Sequence, residues 1–139
     1  MLTTYFLKCV AEDIFKHQEM STIPYDFYLA LSSTAPALDG TGVTEPASDT
    51  GYARIRIDNS ILMFGEADDS ATVANHAKVY FPESVKPWPG ITHYAIFDAE
   101  DDGHLLMYGA LNETMNVPIK TMVSVPLGTL KIKAENGAA

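Results

Sequence analysis

The chain has 139 residues, 47% of them hydrophobic and 19% charged, which suits one globular domain with its own core and excludes wholesale disorder. Eighteen acidic against nine scattered basic residues leave a formal charge of −9, which argues against direct binding to a phosphate backbone. The single cysteine, Cys9, excludes a disulfide within the chain and fits folding in a reducing cytoplasm. The first residues are apolar but lack a basic leader region, Lys8 interrupts them, and Glu12 and Asp13 follow. Neither an export signal nor a membrane span is expected. Leu2, Tyr5, Phe6, Cys9, Val10 and Ile14 recur at helical spacing. That predicts one amphipathic helix, capped by Thr3 or Thr4 and ending near His17 to Met20.

After Pro24 the pattern turns to strands. "DFYLALSS" (Asp26 to Ser33) has the composition and length of one. "TAPALDGTGVTEPASDTG" (Thr34 to Gly51) reads as a long exposed loop, and a loop of that length in a compact domain usually makes contacts. "YARIRI" (Tyr52 to Ile57) alternates, with Tyr52, Arg54 and Arg56 opposite Ala53, Ile55 and Ile57. "NSILMF" and "AKVYFP" are further strand candidates, "SVKPWPG" a rigid connector, and "ITHYAIFD" and "HLLMYGAL" the arms of a hairpin. "TMVSVPLG" and "TLKIKAE" end the pattern. The expected architecture is all-β, an antiparallel, jelly-roll-like β-sandwich with one N-terminal amphipathic helix. The boundaries expected are a helix over residues 1–20, packing on the domain or on a partner, a sandwich over 21–135 and a flexible tail over 136–139.

Chemistry is sparse. "DAEDDG" at the hairpin tip sets Asp98, Glu100, Asp102 and Gly103 like the opening of a calcium loop, but the twelfth position, where such a loop needs a bidentate Glu, is Gly109. A turn with solvated acids explains the cluster better. His17, His76, His93 and His104 show no zinc spacing, and His93 reads as a hydrogen-bonded, half-buried residue. "FGEADD" (Phe64 to Asp69) reads as a solvated loop rather than a glycosidase pair. Cys9 reads as a small buried hydrophobe. No phosphate loop, nucleophile elbow or Ser/His/Asp order is present. No catalytic, cofactor or metal residue is therefore assigned.

Taken in order, "YLALSSTAPALDGTGVTEPASDTGYARIRI", "VANHAKVYFP", "WPGITHYAIFDAEDDGHLLMYGAL" and "GTLKI" resemble a family of small phage virion proteins, of the tail-fibre-like or head-decoration kind. The chain departs from that pattern at Trp88-Pro89-Gly90 and at the Asp-Asp-Gly tip, both turns. The resemblance implies a non-enzymatic structural protein of a tailed-phage particle, without cofactors. The first reading is a capsid decoration or head-fibre protein on the outer shell. A tail, neck, baseplate or tail-fibre component is the alternative, and a carbohydrate-binding module a third. The implied partners are the major capsid protein or another virion structural protein and further copies of the chain, a trimer being favoured; neither nucleic acid nor membrane is expected. The expected contact residues are Leu2, Tyr5, Phe6 and Val10 on the helix, Pro36, Asp39, Thr44 and Glu45 in the long loop, and Trp88 in the connector.

Overall fold

Long alternating segments pair with one another, and short ones are left to cover them. The computed structural model describes residues 1–16, 23–60 and 64–133. Along the chain lie α1 (Thr4–Phe15), β1 (Asp26–Ser32), a 3-10 turn (Ser48–Thr50), β2 (Ile55–Asp58), β3 (Thr72–Ala74) and β4 (Val79–Tyr80). Then come β5 (Trp88–Phe97), β6 (Leu105–Val117), β7 (Ser124–Val125) and β8 (Lys131–Lys133). Four strands form one antiparallel sheet in the order β2-β1-β5-β6. Its centre is set by Leu29 opposite Ile55 on one side and Ile96 on the other.

Period-two alternation decides the faces. Phe27, Leu29 and Leu31 of β1 point into the main core with Ile57, Ile96 and Leu106, whereas Ala30 joins Ala95, Phe97 and Leu105 in a smaller cluster. The main core is closed by two antiparallel ribbons, β3-β8 and β4-β7. They contribute Val79, Val125 and Ile132, with Phe81, Val123 and Leu130 beside them. The result is the expected all-β sandwich, with a second layer made of two ribbons rather than one continuous sheet. Trp88, at the start of β5, is 0% exposed and meets Tyr52 and Phe81 edge-on at 5.5 and 6.4 Å.

The helix starts where Thr3 caps it. The Thr3 hydroxyl accepts from Phe6 N–H (3.3 Å) and donates to the Leu105 carbonyl (2.6 Å), so the cap also anchors the helix to β6. Leu2 bridges Met107, lengthening the sheet at the β6 edge. The helix ends at Phe15, where Lys16 N–H closes onto Glu12 O (3.1 Å). The predicted end at His17 to Met20 lies outside the described residues. Phe6 and Cys9 are buried, and Leu2 and Val10 pack at their margin. Phe6 meets Phe27 edge-on at 6.4 Å. These helix residues pack on the chain's own core.

Two differences have local causes. The strand predicted from Tyr52 starts only at Ile55, because Tyr52 wedges its ring into the core and Arg54 turns to the opposite side of the sheet. Thr72–Ala74 forms a strand that its short, weakly alternating sequence does not announce. In "NSILMF", residues 61–63 lie outside the described ones, and Phe64 makes a single bridge to Asn75.

Candidate functional site

The hairpin tip is a tied turn. One Asp98 carboxylate oxygen accepts His104 N–H (2.7 Å), the other lies 3.2 Å from His104 Nδ1, and Asp98 N–H donates to His104 O (3.2 Å). Gly103 sits at φ +75, and a Cβ there would come within 2.5 Å of Asp98 Oδ1, so both the conformation and the space demand glycine. The His104 ring stacks on Tyr5 of α1 at 3.9 Å between centroids and 8° between planes. Glu100, Asp101 and Asp102 are exposed. Both flanks are strands, and among the described residues no group of three His, Cys, Asp or Glu could hold a metal ion. The acids mark a turn.

Behind the tip lies the most elaborate polar constellation of the described residues. Arg54 makes a bidentate pair with Glu45, Nε to Oε1 and Nη2 to Oε2, both at 2.9 Å. Its Nη1 donates to the carbonyls of Ala99 (2.9 Å) and Asp102 (2.8 Å), and the guanidinium lies 3.7 Å above the Phe97 ring. The Tyr52 hydroxyl donates to Glu45 Oε1 (2.6 Å) and accepts from Leu31 N–H (3.1 Å). Burial, and then the Glu45 carboxylate, push the Tyr52 hydroxyl well above its ordinary pKa, so it stays neutral. The long loop, the approach to β2 and the hairpin tip thus meet at one residue, Arg54.

Beside this joint opens a cleft of about 500 Å³, with Pro46, Ser48 and Ala53 on one side and Glu100, Asp101 and Asp102 on the other. General acid–base or nucleophilic chemistry needs a group free to exchange a proton or attack. Here the Arg54, Glu45 and Tyr52 side chains are committed to each other and to backbone. The arrangement is a mechanical joint.

The predicted contact residues fare unequally. Asp39 and Thr44 are exposed on the loop, and Tyr5 is 39% exposed beside His104. Leu2 and Val10 are half-buried against the core. Three are covered within the chain. Trp88 (0% exposed) and Phe6 (7%) are core residues, and Pro36 is buried under the loop, so none presents a surface. Glu45 is half-buried and taken up by Arg54 and Tyr52. Trp88 fills the junction of the layers, and its indole N–H donates to Thr50 O (3.2 Å).

The remaining candidates fall in place. His93 is half-buried, with Thr92 Oγ1 at 2.8 Å from its Nδ1. His76 is exposed, and His17 lies outside the described residues. Asp68 of the second acidic cluster caps a turn, accepting from Ser70 N–H (2.9 Å) and Thr72 N–H (3.1 Å). Three buried polar residues escaped sequence reasoning, Ser32 (0% exposed), Asn75 (2%) and Ser84 (0%), because nothing local separates a buried Asn or Ser from one in a surface turn.

The family model described as podophage GP4 fiber I protein gp80 matches residues 2–133. The chain belongs to this family of phage fibre proteins. It is a structural, fibre-type protein of the phage virion. No curated protein matches the chain. The geometry gives the motifs behind the resemblance their reasons. Glu45 of the loop and Arg54 of "GYAR" are the two halves of the joint, and Gly103 permits the tied turn. Gly109 leaves room for the Tyr94 ring, whose nearest carbon a Cβ would approach to 2.6 Å.

Proposed function

We propose that this fibre protein is a rigid, non-catalytic module on the outer head shell of the particle, bound to the major capsid protein or to another virion structural protein. The observation that carries the reading is the joint at Arg54. A bidentate pair, two backbone carbonyls and a ring face are all devoted to holding the loop of Thr34 to Gly51 against the hairpin tip. Preorganising two exposed segments lowers the entropy lost on docking, which is what a repeatedly used assembly surface needs. The face so held presents Asp39, Thr44, Glu100 and Asp101 to solvent, and its acidic character disfavours nucleic acid as the partner.

Imaging of particles made without this chain tests the placement. Loss of projections from the head shell is expected. Intact heads with a missing tail, neck or baseplate feature would replace the head reading with the tail reading. Mass measurement of the isolated protein tests the trimer, and a flat titration against host surface polysaccharide is expected for a module that does not bind glycans.

A further inference from the structure

The outer edge of β6 accepts a strand over part of its length and is then left unpaired. Residues 1–3 lie along it in antiparallel fashion. Tyr108 N–H donates to Met1 O (2.9 Å), the Met1 amine to Tyr108 O (2.8 Å), and Thr3 N–H to Leu106 O (2.8 Å). The register with β5 runs unbroken from Met107 to Ala110, so the N–H and C=O of Ala110, two residues beyond Tyr108, point to that same edge. Ala110 is exposed, and among the described residues no strand pairs with the outer side of β6 beyond Tyr108. The ribbon β4-β7 ends in the same way. Phe81 N–H donates to Val123 O (2.8 Å) and Val79 pairs with Val125, so the N–H and C=O of Ser124 point away from β4. On that side β7 has no partner strand among the described residues.

Between β6 and β7 opens a groove of about 250 Å³, lined by both Ala110 and Ser124. Leu111, Met115 and Val125 add apolar walls, and the core residues Leu29 and Phe81 reach into it. Not one lining residue is charged, although the chain carries a formal −9. The space exceeds the about 150 Å³ that holds a benzene-sized apolar ligand, so one or two aliphatic side chains fit. We infer that an extended, uncharged segment of a different virion protein docks here as an added strand. Its backbone pairs with Ala110, in line with residues 1–3, and its alternate aliphatic side chains fill the groove. The unpaired edges select that occupant. A helix or a compact apolar ligand would cover the groove yet leave the Ala110 and Ser124 backbone groups without partners, whereas a strand supplies both. The chain's own long alternating segments, β1, β5 and β6, are already laddered, so the segment comes from another protein. This contact goes beyond the placement proposed above and holds for a head or a tail location.

Assembled particles test this with a benzoylphenylalanine photoprobe in place of Asn112, an exposed residue on the groove's rim. Irradiation is expected to link the chain to a different virion protein, within a run of uncharged residues that alternates apolar and polar. Proline removes a backbone N–H and is tolerated on a strand edge whose N–H faces outward. Ala110→Pro should therefore melt like the unaltered chain, yet enter particles at least tenfold less well in competition with it. Ala110→Ser, which keeps the N–H, should enter as the unaltered chain does. Absence of a photoproduct would overturn the inference, as would links only to further copies of the chain or only to a charged segment. Equal entry of Ala110→Pro would overturn it too. So would a lowered melting temperature of that variant, since the Ala110 N–H would then be bonded within the chain.

Discussion

The two layers of the sandwich are held by different means. In the main sheet, β1, β5 and β6 run 7, 10 and 13 residues, and long ladders hold them together, although the register between β5 and β6 shifts at three places. In the opposing layer the strands run two or three residues, too short for ladders to hold the ribbons in place. Buried side chains supply the missing bonds. Asn75 donates from Nδ2 to Ala77 O (2.9 Å) and Pro126 O (3.0 Å) and accepts Leu130 N–H at Oδ1 (2.9 Å), tying the end of β3 to the turn before β8. Ser84 donates to Pro118 O (2.5 Å) and accepts Thr121 N–H (3.1 Å), tying the connector to the segment before β7. Where strands shorten, a buried amide or hydroxyl takes over the work of the ladder.

The largest effect is expected where both layers meet. Trp88→Ala should lower stability by about 3 to 5 kcal/mol and unfold both layers in one transition. Two separate transitions in a thermal melt would show the layers to be independent units. Arg54→Met leaves the Glu45 carboxylate without its partner, and a loss of about 3 kcal/mol is expected. Hydrogen exchange should report the opening at residues 98–104 before the centre of β5; uniform loss of protection would deny the joint its local role.

Asn75→Ala sharpens the comparison most directly. Stranding the Leu130 N–H and removing the amide's bonds to Ala77 O and Pro126 O, the latter still held by Thr129, should cost about 2 kcal/mol. Amide protection should fall in β3, β4, β7 and β8 while β1 and β5 keep theirs, and an equal fall in both layers would refute the division. Thr3→Val, which removes the cap but keeps the shape, should cost about 1 kcal/mol, read as loosening of α1 alone.

The smallest effect is a pH dependence. Hydrogen bonds from the Ser70 hydroxyl and then from the Thr72 and Ser70 amides hold the Asp68 carboxyl below its usual range. A carboxyl lower in the folded than in the unfolded chain stabilises fully above the ordinary carboxylate pKa, and that contribution is lost as pH falls through the lowered value. Asp68→Asn should therefore lower the melting temperature slightly at neutral pH and leave it unchanged in strong acid. The same difference at both pH values would mean that the charge plays no part.

The two layers were also unequally legible. β1 and the arms of the hairpin showed in the alternation of "DFYLALSS", "ITHYAIFD" and "HLLMYGAL", because long strands carry enough period-two signal to stand out. The second layer showed only in part. "AKVYFP", "TMVSVPLG" and "TLKIKAE" each contain a strand of two or three residues, and Thr72–Ala74 carried no signal. The tip was legible as a turn, since Asp and Gly at those positions have a local conformational reason. Its fastening was not, because Arg54 reaches carbonyls 45 and 48 residues away, and spacing along the chain says nothing of such contacts.

The same limit explains the helix. Its period showed an apolar face at Leu2, Tyr5, Phe6, Cys9, Val10 and Ile14, and that face was the natural candidate for a partner. Packing assigned Phe6 and Cys9 to the chain's own core and left Leu7, Ile14 and Phe15 outward. By itself, the sequence determined the class of fold, the one helix, the central strands, the turn at Asp98 to His104 and the kinship with phage virion proteins, all through local periodicity, local turn chemistry or ordered motifs. Only the tertiary structure decided that Trp88 is buried, that Glu45 belongs to Arg54, and that Asn75 and Ser84 hold the second layer. Burial and long-range pairing are properties of the packed chain, and no short stretch of it contains them.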